Sequence, residues 1–287
     1  MNMNAKEIFI MIDSVINDIL TLLGFQFFQY ALIGGIISAL ATSWIGLFLI
    51  LRHESMISDG IAHTAFGGIA LGLLLGINPL ITALVVSIIA VLGISYMRKK
   101  ELAKSDAAIA VMLSLGFSTG LIIISIAGGF NVEIFSYLFG SILTIDNIDL
   151  FIVSFLGLAS ICFFGIFYKE LLSITFDEES AKVTGIPVRY FTFTFNLLVA
   201  FTIALSIKVI GVILVVALMV LPGLAALQLK RSFRGTMIMT VCFSILSIVI
   251  GIFFSAVYNI ATSGVIVFFA AGIFLITAVY HKIRYNV

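Results

Sequence analysis

An aspartate and a histidine lie four residues apart near the start of an apolar stretch. Asp59 and His63 belong to the run Ile-Ser-Asp-Gly-Ile-Ala-His. On a helix, this spacing places the carboxylate and the imidazole one turn apart on the same face. Zn²⁺ accepts both ligand types, and Mn²⁺ accepts them together with more oxygen. The spacing predicts a pair of metal ligands; the alternative is a hydrogen-bonded pair that stabilises the start of the helix.

The apolar surroundings favour the metal interpretation. Ionisable groups inside a membrane are costly, and they commonly mark an ion pathway. The chain has three histidines; His63 falls well inside a predicted span, whereas His281 lies at the very end of another and His53 lies between spans. Two ligands do not complete a coordination shell. The remaining ligands would come from water, from other helices or from a second copy of the chain.

The composition indicates that membrane helices must position this pair. Hydrophobic residues make up 62% of the 287 residues, charged residues make up 10%, and the mean hydropathy is +1.28. Soluble domains carry about 25% charged residues. We therefore predict an all-α, polytopic transmembrane helix bundle of about nine spans, each of about 20 residues. The predicted spans are residues 27–51, 57–75, 79–97, 107–127, 148–168, 190–207, 209–229, 235–257 and 262–282.

Basic residues predict the orientation of the bundle. Of the 15 Lys and Arg residues, all except Lys6 and Lys208 follow the odd-numbered spans and so lie on one side of the membrane. Because positive charge is enriched in cytoplasmic loops, the N-terminus is predicted outside and the C-terminus in the cytoplasm. Only Lys208 separates the sixth span from the seventh. Eight spans therefore remain possible.

The chain divides into two parts by pattern. Residues 1–26 have apolar residues at three- and four-residue intervals and are predicted to be an amphipathic N-terminal segment. Residues 27–287 are predicted to be the transmembrane domain.

Two connections between the predicted spans are longer than the others. Residues 128–147 are half apolar and are expected to lie against the bilayer or to enter the bundle, and residues 169–189 form the one extended charged stretch.

The sequence contains no motif that predicts catalysis or ATP binding. Residues 116–120 match the G-x-S-x-G pattern of serine hydrolases, but they lie within an apolar helix rather than a strand–turn–helix. No phosphate-binding P-loop occurs, so an ATPase that drives transport would be a separate chain. Cys162 and Cys242 are interpreted as lone buried thiols. The chain is not expected to be an enzyme, and its net charge of +1 predicts no nucleic-acid partner.

Four ordered segments resemble the zinc/manganese permeases of bacterial and archaeal ABC importers. The first is residues 51–63, which is similar to the family pattern L-R-R-M-S-L-x-G-D-x-x-x-H, although His53-Glu54 stands where the family often has Arg-Met. The others are residues 137–143, residues 176–185 and residues 208–222. The resemblance as a whole covers about residues 27–280, with these four segments in order.

The resemblance implies a multi-pass permease of a bacterial or archaeal cell membrane. A zinc or manganese ion is the transported substrate, with zinc favoured, and no cofactor is tightly bound. Asp59 and His63 match the metal-coordinating pair. The implied partners are an extracytoplasmic metal-binding protein, a cytoplasmic ATPase subunit, a second copy of the chain and membrane lipid. The implied ATPase-coupling residues are Phe176, Asp177, Glu178, Ala181 and Gly185.

A second class of function remains open from the residues alone. A self-sufficient secondary carrier or channel would also have many spans and an intramembrane metal pair. Such a protein would move ions in liposomes without an ATPase.

Overall fold

The computed structural model describes residues 21–129, 132–140 and 147–285. The described residues form helices joined by short turns, without a strand. The predicted amphipathic segment lies mostly outside the described residues. The helices are α1 Gln26–Leu51, α2 Met56–Leu75, α3 Pro79–Lys99, α4 Ser105–Ile126, α5 Val132–Phe139, α6 Asn147–Ile166, α7 Tyr168–Phe176, α8 Glu178–Val183, α9 Val188–Ile210, α10 Val212–Leu227, α11 Phe233–Tyr258 and α12 Thr262–Tyr285.

The predicted transmembrane bundle is confirmed. Within the described ranges, eight helices are long and apolar enough to cross a membrane: α1, α2, α3, α4, α6, α9, α11 and α12. The ninth apolar helix, α10, has 16 residues. At 1.5 Å per residue it is about 24 Å long, which is shorter than the roughly 30 Å hydrocarbon core. The orientation of the termini stays a prediction.

Helix α2 lies at the centre of the bundle. In its most apolar stretch 72% of the residues are buried, against 17% in α4 and 22% in α12. It packs most extensively against α3 and α4, and it also contacts α9 and α10. Glycines and alanines along α2 allow neighbouring backbones to approach closely. The predicted metal pair is therefore carried by a helix that other protein surrounds on most sides.

The boundary between the sixth and seventh predicted spans was placed wrongly. The sequence suggested a break at Lys208, but α9 continues to Ile210, and the chain turns at Gly211. Lys208 Nζ lies 2.6 Å from the carboxylate of Asp149 in α6, and only 5% of the Asp149 side chain is exposed. Because this carboxylate compensates the positive charge of Lys208, helix α9 continues past the lysine without interruption.

The turn at Gly211 meets the end of α5. Gly211 has a φ of 83°, and a side chain there would place its Cβ 2.4 Å from the backbone nitrogen of Gly140. Both features require glycine. The described part of the long connection therefore ends inside the bundle, against the start of α10.

Candidate metal site between two helices

The first turns of α2 carry the predicted pair. Asp59 Oδ1 lies 3.3 Å from His63 Nε2, and each side chain is 30% exposed. The other side chains of these turns, from Ile57 to Thr64, are buried. A carboxylate in the first turn of a helix also interacts favourably with the helix dipole. The structure thus brings the two predicted ligands together on the one open face of α2.

The ring of His63 is held by an aromatic neighbour. It packs edge-to-face on Phe117 of α4, with ring centroids 5.2 Å apart and an interplanar angle of 82°. Its Nδ1 is buried and has no hydrogen-bond partner among the described residues. Nε2 is therefore the ring nitrogen that faces Asp59.

The pair opens into a groove of about 490 Å³ between α2 and α10. On the α10 side, Ile213, Val216, Ala217 and Val220 recur at three- and four-residue spacing, so one helical face forms this wall. The opposite face of α10, including Leu218 and Met219, is buried. The complete lining is Ser55, Met56, Asp59, His63, Val212, Ile213, Val216, Ala217, Val220 and Leu221. Asp59 and His63 are its only ionisable members.

Within the part of the chain that the structure describes, Asp59 and His63 are the two potential metal ligands that meet at this groove. Across residues 21–129, 132–140 and 147–285, no group of three or more His, Cys, Asp or Glu side chains is placed to hold one ion. The groove wall opposite the pair is apolar. Further ligands would have to be water or side chains of another molecule.

The residues predicted to couple to an ATPase form a compact element at α7 and α8. Asp177 caps α8: its Oδ1 accepts hydrogen bonds from the backbone N–H groups of Glu179 and Ser180, each at 3.1 Å. Its Oδ2 accepts one from the Ser180 hydroxyl at 2.5 Å. These bonds, first those from Ser180, lower the pKa of Asp177 below its usual 3.8. Because they favour the charged form, the cap is formed at neutral pH.

Some side chains of α7 and α8 pack against the bundle, and others are exposed. Ala181 is buried against Ile174 and Val188, which fixes α8 on the bundle. Phe176 is 67% exposed and Glu178 is exposed. Gly185 has a φ of 85° and ends the element by donating its N–H to Lys182 O. All five predicted coupling residues therefore lie in or directly after the two short helices.

Two parts of the site were missed from the sequence. One is the wall supplied by α10, which is more than 150 residues from Asp59 along the chain. The other is a buried ion-pair cluster of Arg52, Glu54 and Arg98 beside the groove. The substitution of His53-Glu54 for the usual Arg-Met was a signal for the second, because a carboxylate in an apolar segment requires a partner.

A bundle of helices long and apolar enough to cross a membrane, with an aspartate–histidine pair in an open groove, is typical of a polytopic membrane transport protein. The chain belongs to the ABC 3 transport family, whose model matches residues 24–281. The resemblance to metal importer permeases is thereby confirmed. The family is a transport family, not an enzyme family.

Several curated relatives align with most of this chain. The manganese transport system membrane protein MntC of Halalkalibacterium halodurans is 30% identical, covering 88% of this chain and 87% of that protein. The manganese import system permease protein ScaB of Streptococcus gordonii is 31% identical, covering 88% and 91%. The high-affinity zinc uptake system membrane protein ZnuB of Haemophilus influenzae is 28% identical, covering 88% and 97%.

Solved structures show the same fold. PsaBC from Streptococcus pneumoniae in complex with Fab matches with a TM-score of 0.82 and 32% identity, covering 92% of this chain and 95% of that one. An inward-facing metal-chelate type ABC transporter, described as putative in its name, matches with a TM-score of 0.73 at 14% identity, covering 88% and 86%. The second likeness concerns the fold alone. The chain is accordingly a multi-pass membrane permease of the metal ABC importer family.

Proposed function

We propose that this chain forms the pathway of an ABC importer that carries manganese or zinc into the cytoplasm, and that Asp59 and His63 bind the ion in transit. The observation that carries the proposal is the 3.3 Å separation of Asp59 Oδ1 and His63 Nε2 in the α2–α10 groove. An ion about 2.1 Å from each of two atoms, in tetrahedral geometry, holds those atoms about 3.4 Å apart. The pair can therefore bind an ion with little rearrangement.

A shell that one chain leaves incomplete suits a transporter. Because the other ligands come from another molecule, movement between the two molecules can open the shell and release the ion. His63 binds through Nε2 as a neutral imidazole, so the proton resides on Nδ1.

A second copy of the chain is the partner that covers the groove. Met56 and Ile213 line it and are 54% and 46% exposed, and the remaining wall is apolar. Two copies related by two-fold symmetry would present two carboxylates and two imidazoles to one ion. That set completes a tetrahedral zinc shell, and with added water it also suits manganese.

Disulfide crosslinking tests this arrangement. We expect Ile213→Cys to form a crosslinked dimer on oxidation in membranes, because Ile213 lies at the proposed interface. The prediction that Cys162 and Cys242 are buried was wrong, since both are exposed. They are therefore first replaced by serine. Leu275→Cys in α12, which is 61% exposed, is the matched control and should stay monomeric. Equal crosslinking at both positions would contradict the proposed interface.

The ion is manganese or zinc, and the relatives include membrane proteins named for the transport of each. The relatives named for manganese transport are 30% to 32% identical, whereas ZnuB is 28% identical. The zinc preference in the sequence analysis rested on sequence similarity alone. An Asp–His donor set accepts either ion. Uptake of radioactive manganese and zinc, each competed by the other ion, decides the cargo.

The energy for transport is proposed to enter through α7 and α8. A cytoplasmic ATPase subunit would contact the exposed side chains of this element, including Phe176 and Val183, which is 89% exposed. An extracytoplasmic metal-binding protein would deliver the ion to the other side. Family membership disfavours the self-sufficient carrier or channel. Ion movement by the purified chain in liposomes without ATPase would contradict the importer assignment.

The cap at Asp177 gives a specific prediction for coupling. Asp177→Ala removes the acceptor that orders the first turn of α8, so we expect ATP-driven uptake to fall several-fold at an unchanged membrane level. Asp177→Asn keeps an acceptor oxygen and should retain most of the activity. The measurement is ATP hydrolysis and metal uptake by the reconstituted complex. Equal loss in both variants would show that the charge, not the cap, matters.

A further inference from the structure

A carboxylate that departs from the family pattern lies buried at the start of α2. Only 7% of the Glu54 side chain is exposed. Its Oε1 lies 2.7 Å from Arg98 Nη2 in the last turn of α3. Its Oε2 lies 3.3 Å from Arg52 Nε, directly after α1. One carboxylate thus joins the ends of two helices.

The cluster also reaches α9. Arg52 Nη2 donates a hydrogen bond to Thr192 Oγ1 at 3.2 Å, and its guanidinium lies 5.5 Å from the ring centroid of Phe195. Arginine suits this position because its fixed fork of donors can contact several partners at once. The α1–α2 turn is therefore tied to both α3 and α9.

The α1–α2 turn, which this cluster holds in place, adjoins the metal groove. Ser55 and Met56 follow Glu54 and line the groove, and Asp59 lies one turn further along α2. The backbone carbonyl of Glu54 accepts the N–H of Ile57 at 2.9 Å, and the Ser58 hydroxyl donates to the carbonyl of Ser55 at 2.7 Å. Displacement of Glu54 would therefore shift the turn that carries the Asp59 carboxylate.

The charges exclude a second cation site here. Two guanidinium groups and one carboxylate leave a net positive charge in a mostly buried cluster. Such a group repels a divalent ion. Buried ion pairs add little net stability, and in some proteins they fix one arrangement of the chain.

We propose that Glu54 is a positioning residue for the metal pair: by bridging Arg52 and Arg98 it holds the first turn of α2 so that Asp59 meets the ion together with His63. This inference rests on the proposed function of Asp59 and His63. It assigns a role to a residue at which this chain differs from its family's usual sequence.

The test measures Mn²⁺ binding to the purified permease–ATPase complex, followed by loss of the electron paramagnetic resonance signal of free Mn²⁺. For Glu54→Gln we expect the dissociation constant to rise about tenfold with unchanged stoichiometry, because the ligands persist but are misplaced. A defect in folding alone would instead lower the number of Mn²⁺ ions bound per complex and leave the dissociation constant unchanged. Glu101→Gln, which removes an exposed carboxylate just after α3, is the matched control.

A double variant separates bridging from charge balance. Glu54→Gln with Arg98→Gln has the same net charge in the cluster as the natural chain but lacks the bridge. We expect it to bind as weakly as Glu54→Gln; recovery of natural affinity would overturn the proposal. If Glu54→Gln does not fold, Arg98→Gln alone, which keeps the Arg52–Glu54 pair, should still raise the dissociation constant.

Asp59→Asn, measured on the same complex, distinguishes the positioning role of Glu54 from the proposed metal binding by Asp59 and His63. Loss of Mn²⁺ binding in Asp59→Asn with natural affinity in Glu54→Gln would overturn only the positioning role. Undiminished binding in Asp59→Asn would overturn the proposed function itself.

Discussion

Replacing Asp59 by Asn or His63 by Ala should reduce metal uptake about 100-fold or more while the protein still reaches the membrane. Each change removes one of the two proposed ligands, and changes even in the residues that support metal ligands cost about 10–100-fold. Asp59→Asn keeps the size of the side chain and removes only the anionic oxygen. The measurement is uptake of radioactive manganese and zinc by cells that contain the complete transporter.

Ser247→Ala in α11 is the control for this experiment. Ser247 is a buried polar residue that does not line the groove, and its hydroxyl donates to the carbonyl of Phe243 at 2.8 Å. Its loss should leave uptake within about twofold of the natural level, since such a local bond contributes only about 1 kcal/mol. Normal uptake by both ligand variants would remove the pair from the ion's path.

The largest effect on folding is expected at Gly46 in α1. A Cβ atom at this position would lie 1.8 Å from the backbone oxygen of Met219 in α10. Since neither backbone can yield cheaply, Gly46→Ala should separate α1 from α10 and destabilise the protein by about 1–3 kcal/mol or more. The change also displaces the wall of the groove. Thermal unfolding in detergent, followed by size-exclusion chromatography, measures the loss.

Gly165→Ala in α6 provides the matched comparison. No atom lies within 4 Å of a Cβ built at Gly165. Because alanine is a better helix former than glycine, this variant should be as stable as the natural chain or slightly more stable. Equal stability of the Gly46 and Gly165 variants would contradict the close crossing of α1 and α10.

The helices were largely predictable because membrane spans have a strong local signal. An apolar run of the right length must satisfy its backbone internally, so composition alone places it. The break after α9 was misplaced because an isolated lysine normally interrupts a span. The sequence does not show that Asp149, 59 residues earlier, compensates Lys208.

The proximity of Asp59 and His63 was predictable for a related reason: both residues lie on one helix, and their separation is set by the helical repeat. The α10 wall and the Arg98–Glu54 contact join segments that are distant along the chain. Helical periodicity carries no information about which helices become neighbours. Only the packed bundle shows that the predicted pair opens on a groove and that Glu54 is tied to Arg98 beside it.

The most direct test of the central claim is anomalous X-ray scattering from Mn²⁺ in crystals of the complete transporter. We predict a peak about 2 Å from Asp59 Oδ1 and from His63 Nε2, with the corresponding side chains of a second copy on its other side. A bound ion at a different place along the pathway, with Asp59 and His63 making no contact to it, would contradict the account.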